Sequence, residues 1–152
     1  MPETSTGRGA LRVLQTGAIA IVLAAATYKL FELDRYFVPK ELVLHLTALA
    51  AIIVCVQGAR RLELTRVETL LGVYLLLGVV SAVAAENHWA AARALGITFS
   101  GLVIFRAARA STNAGRQWPL LAVLSVAIVL ASVTSLLQAY GVTTDFFSLN
   151  RS

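Results

Sequence analysis

Residues 119–140 read PLLAVLSVAIVLASVTSLLQAY, from Pro119 to Tyr140. This stretch carries no charged side chain and lies inside the longest charge-free run of the chain. A bilayer core about 30 Å thick is crossed by roughly 20 apolar helical residues, so this segment is long enough to span. Working outward, four more apolar stretches are bounded by charges. Val13–Tyr28 lies between Arg12 and Lys29, and Leu42–Ala59 is closed by Arg60 and Arg61. Thr69–Ala85 lies between Glu68 and Glu86, and Ala94–Phe105 between Arg93 and Arg106.

Composition agrees. The 152 residues are 58% hydrophobic and only 14% charged, with a mean hydropathy of +0.77. Soluble domains carry about 25% charged residues, so there is too little charge here to solvate a globular surface. That argues against a soluble enzyme, a disordered chain or a nucleic-acid binder. The single cysteine excludes an intramolecular disulfide framework and a cysteine-based zinc site. An all-α, polytopic transmembrane bundle of about five spans is predicted. The spans fall near 11–30, 41–59, 67–85, 90–108 and 118–140, after a cytoplasmic tail at 1–10. The first is read as a retained helix and not a signal peptide, because Tyr28, Lys29 and further spans follow it.

The fourth stretch sets a problem. Its charge-free core is only 12 residues, shorter than a span requires. It crosses only if Arg93 and Arg106 snorkel to opposite headgroup layers, with Trp89 as an interfacial anchor. A full span is expected.

Basic residues then set the orientation. With the N-terminus inside, cytoplasmic segments hold Arg8, Arg12, Arg60, Arg61, Arg66, Arg106, Arg109 and Arg116. The outer segments hold Lys29, Arg35, Lys40, Arg93 and Arg151. The N-terminus is therefore expected in the cytoplasm and the C-terminus in the periplasm.

Small residues mark close helix contacts in lipid. Ala127, Ala131, Ser135 and Ala139 form such a stripe on the fifth helix, and Ala92, Gly96 and Ser100 form one on the fourth; Gly78 and Ala82 offer a third. They suit packing within the chain or against further helices. Glu41 and His45 are four residues apart on one helical face. They suit either a hydrogen-bonded interfacial histidine or a proton or anion site near the outer surface. His88 is read as a loop residue and Cys55 as a packed thiol. The segment from Phe31 to Glu41 mixes aromatics with three acids and two bases. Pro39 and Glu41 suit a helix start, and the aromatics suit an interfacial belt. Alternatively, Arg35 and Lys40 hold an anionic headgroup or a pyrophosphate. No metal-ligand spacing, phosphate-binding loop or hydrolase motif is present, so no cofactor, metal or catalytic residue is assigned.

The run Phe37-Val38-Pro39-Lys40-Glu41-Leu42-Val43-Leu44-His45-Leu46 resembles the start of the second helix in the O-antigen ligase-like family. The basic loop Arg60-Arg61-Leu62-Glu63-Leu64-Thr65-Arg66 follows in the same order. So do the stretch from Ala85 to Ala94 and Leu137-Gln138-Ala139-Tyr140-Gly141-Val142. The resemblance covers about Leu30 to Asn150. It implies a role in lipopolysaccharide biosynthesis, with polysaccharide transferred from undecaprenyl pyrophosphate at the bacterial inner membrane. Family members have about a dozen helices. Their Gly- and Asn-containing hallmark and their large catalytic periplasmic loop have no counterpart in this sequence. The resemblance therefore implies the N-terminal portion of such an enzyme, not catalytically complete by itself, with family catalytic residues not transferable. Arg35, Lys40 and Arg93 are the candidate outer-face substrate-binding residues. Membrane lipids, an undecaprenyl-pyrophosphate-linked glycan, and other membrane subunits or the family's C-terminal helices are the expected partners; nucleic acid is not. A small non-enzymatic membrane scaffold subunit is the alternative. A small transporter or channel is disfavoured by the lack of an inverted repeat and of intramembrane charge.

Overall fold

The computed structural model describes residues 3–26, 38–58 and 65–140. They form five α-helices: α1 (Glu3–Ala26), α2 (Val38–Gly58), α3 (Arg66–Val83), α4 (His88–Asn113) and α5 (Gln117–Ala139). All five are long and apolar enough to cross a membrane. The chain is a multi-pass membrane protein of the expected all-helical class.

Several boundaries move. The region expected as a tail at 1–10 is helical from Glu3 onward, and Ala10 is fully buried. Residues 27–30, expected to finish the first span, lie outside the described residues. The largest change is in α4. At about 1.5 Å per residue its 26 residues extend about 39 Å, more than a bilayer core requires. Helical propensity continues through Ala107, Ala108 and Ala110 and ends where the chain supplies a stop. That stop is Gly115, with φ at +72°. Its N–H donates to the Thr112 carbonyl at 2.9 Å, and Arg116 N–H donates to the Ser111 carbonyl at 3.1 Å. This is a Schellman closure, and glycine supplies its left-handed residue without a Cβ penalty. The tight turn returns the chain directly into α5.

Consecutive helices alternate in direction. The N-terminal half of α1 lies against the C-terminal part of α4, with Gly7 facing Ala110 and Ala114. The start of α2 meets the start of α4, and the start of α3 meets the end of α4. Among the described residues α1, α2 and α4 pack mutually, α3 leans on α4 alone, and α5 lies along α1 and touches α4. The core is a cluster of Ala10, Leu11, Leu14, Ala51, Ala107 and Leu120. Alanine is prominent because lipid gives no hydrophobic drive between helices; close van der Waals packing of small residues must do it.

Helices α1 and α2 also meet through a glycine. A Cβ on Gly17 would fall 2.6 Å from Thr47 Oγ1 and against the Thr47 methyl. Only glycine lets the helices meet there. The expected small-residue stripes fare unevenly. Gly78 packs on Leu95 and Gly96 on His45, and Ser100 is buried. Ala92 is exposed, as are Ala131 and Ser135 on α5. The α5 stripe therefore makes no interior face among the described residues; Leu120 is the one buried residue of that helix. Helix α3 has no buried residue at all. Leu70, Leu76, Leu77, Val80 and Val83 on α3, and Ile128, Val129 and Leu136 on α5, turn outward, as lipid-facing residues do.

Candidate functional site

Polar side chains gather at the two ends of α4. At its N-terminal end Asn87 caps the helix, its Oδ1 accepting from Ala90 N–H at 3.0 Å. An Asn at this position satisfies one of the unpaired first-turn donors. His88, expected in a loop, is the first residue of the helix and is exposed. One turn further, Arg93 Nε donates to both oxygens of Glu41, at 2.9 and 2.8 Å. Its Nη2 lies 2.7 Å from Oε1. The guanidinium also sits 5.5 Å from the Trp89 ring, within cation–π range. Glu41 is in the first turn of α2, where the helix dipole favours an acid, and Pro39 starts that helix as its ring geometry requires.

Below this pair His45 Nδ1 and Ser100 Oγ share a hydrogen bond of 2.7 Å. His45 is therefore joined to α4, and the four-residue spacing from Glu41 serves two different cross-helix contacts. The sequence reading of a Glu41–His45 unit did not anticipate Arg93 or Ser100 as the partners.

At the other end of α4, Arg106 Nη1 meets Glu68 Oε1 at 2.9 Å and Arg109 Nη1 lies 3.9 Å from Oε2. Arg109 also donates to Thr65 Oγ1. The same carboxylate accepts from Thr65 N–H at 2.9 Å, which is half of a capping box at the start of α3. One acid thus closes a helix end and holds two arginines.

These pairs correct the expected behaviour of α4. Arg93 and Arg106 are 13 residues apart, about 20 Å along a helix. That is about 10 Å short of the hydrocarbon thickness. Instead of relying on snorkelling to headgroups, each arginine meets a carboxylate on a neighbouring helix. Charges near the bilayer boundary are tolerated when paired in this way. Glu41 and Glu68 stand 52 and 38 residues away in sequence, so no local pattern shows the pairing.

No family model, curated protein or solved structure matches this chain.

Of the three candidate binding residues, Arg35 lies outside the described residues. Lys40 and Arg93 fall at the same end of the bundle, Lys40 exposed and adjacent to Glu41, Arg93 engaged by Glu41. Cys55 is half-buried beside the core cluster, consistent with a packed thiol. Among the described residues no group of three or more His, Cys, Asp or Glu side chains is placed to hold a metal.

Proposed function

We propose that the chain is the N-terminal transmembrane portion of an O-antigen ligase-like protein of the bacterial inner membrane, acting in cell-surface polysaccharide assembly. The observation that carries this reading is the Glu41–Arg93 pair. It joins the start of α2 to the start of α4, two of the four segments whose sequences resemble that family. On this reading the end holding Lys40, Glu41, Asn87, Trp89 and Arg93 faces the periplasm, where an undecaprenyl-pyrophosphate-linked glycan is handled. Lys40 supplies positive charge to the pyrophosphate, and Arg93, anchored by Glu41, keeps α2 and α4 in register beneath it. Further helices would supply the catalytic groups.

The charge distribution supports that orientation. Among residues whose side chains are described, the opposite end holds Arg8, Arg12, Arg66, Arg106, Arg109 and Arg116 against Glu68. The Lys40 end has Lys40 and Arg93 against Glu41 and Glu86. Arginine-rich ends stay in the cytoplasm.

A second reading, a non-enzymatic scaffold subunit of a larger membrane complex, is favoured by one observation. The Arg93 guanidinium makes three close contacts with Glu41, which suits a structural strut. Deleting the gene in its native host separates the two. The ligase-like reading expects loss of the polymer-bearing glycolipid ladder on gels and accumulation of undecaprenyl-pyrophosphate-linked glycan. An unchanged ladder would overturn it and leave the scaffold.

A further inference from the structure

The two ends of α4 hold their arginines differently. Glu41 engages Arg93 through two nitrogens, Nε to both oxygens and Nη2 to one. Glu68 is shared. Arg106 reaches it through one nitrogen, and Arg109 stands 3.9 Å away. Glu68 is also the acceptor for Thr65 N–H. Each of the two guanidiniums is 33% exposed, while the carboxylate is 12% exposed. Arg66, the first residue of α3, is exposed two residues from Glu68. Two guanidiniums therefore share one acid, with most of their N–H donors directed to no acceptor among the described residues.

An arginine carries five donors in a planar fork that matches phosphate oxygens. Arg106 and Arg109 are three residues apart and so lie on one helix face, about 4.5 Å apart along the axis. Glu68 holds both in place without neutralising both. The cluster sits where the start of α3 meets the C-terminal turns of α4, and a 26-residue helix that outruns a core of about 30 Å brings Arg109 to the membrane boundary. A fixed pair of guanidiniums with surplus charge at that depth fits a phosphodiester that carries net negative charge.

We propose that Arg106 and Arg109, organised by Glu68, form a binding site for the headgroup phosphate of an anionic membrane lipid. Glu68 is the positioning residue, and Arg106 and Arg109 make the contact.

Native mass spectrometry of the full chain, with equal amounts of phosphatidylglycerol and phosphatidylcholine, tests this. Preferential retention of phosphatidylglycerol is expected. Arg109→Gln should weaken that preference about fivefold, the effect of one basic residue at an anionic surface. Arg109→Lys, which keeps the charge and loses the fork, should fall between; it decides the matter if the glutamine variant does not fold. Arg12→Gln removes the same charge from α1, a helix that does not touch α3, and should leave the preference intact. No preference in the parent chain would overturn the proposal. So would an equal loss in Arg12→Gln, which would mean diffuse attraction. Full displacement of the lipid by inorganic phosphate would reassign the site to a soluble anion and equally overturn it.

Discussion

Replacing Glu68 by alanine is expected to destabilise the bundle by about 2–3 kcal/mol. Two losses combine. The start of α3 loses the acceptor for Thr65 N–H, and an N-terminal cap contributes about 1 kcal/mol. Arg106 and Arg109 also lose the carboxylate between them. Stranding a fully buried charge costs about 3–5 kcal/mol, but these guanidiniums are one-third exposed, so interfacial water screens part of the cost. Because among the described residues α3 touches α4 and no other helix, the loss falls on that attachment. Glu68→Gln keeps an acceptor without the charge and should fall between. The measurement is unfolding in detergent against increasing dodecyl sulfate. Stability unchanged within about 0.5 kcal/mol, the usual scatter of innocuous surface changes, would mean that the cluster does not hold α3.

A leucine at Gly17 should act at the opposite side of the bundle and by steric means. Its Cβ alone would press on both branches of Thr47. Thr47 has little freedom to yield. It is β-branched, 9% exposed, and its hydroxyl donates to the Val43 carbonyl at 2.7 Å. The α1–α2 contact must open, at a cost near the upper end of the about 1–3 kcal/mol typical of overpacking. Cutting Thr47 back to glycine in the same chain should restore part of the loss. Non-additivity of that kind marks two residues in direct contact. Simple addition of the two effects would show that the helices do not meet at this point.

The class of fold was legible because bilayer thickness imposes a length that hydropathy alone can meet. Pro119–Tyr140 satisfies it without help, and α5 follows closely. The fourth span was legible only as a problem. Its charge-free core looks short because a one-dimensional reading assigns Arg93 and Arg106 their full cost. Folding reduces that cost through Glu41 and Glu68, acids on other helices. Pro39 and Glu41 announced the start of α2 because dihedral preference and helix dipole are local. The tight seam was misplaced for the converse reason. Alanine is so frequent that the stripe of Ala127, Ala131 and Ser135 looked like a contact face. The contact actually runs through Gly7 and Gly17 on α1, where the facing residues Ala114 and Thr47 are distant in sequence.

Helix α4 is expected to cross the membrane completely, with Arg93 and Arg106 paired near its two boundaries. Single cysteines at Asn87 and Asn113, placed in turn in a Cys55→Ser background, bracket the helix. Both native residues are exposed, so labelling should not disturb packing between helices, and losing the Asn87 cap costs only about 1 kcal/mol. An impermeant maleimide added to intact cells should label the cysteine at 87 and reach the one at 113 only after the membrane is opened. Labelling of both from the same side would mean that α4 turns back within the bilayer, and would contradict a complete crossing.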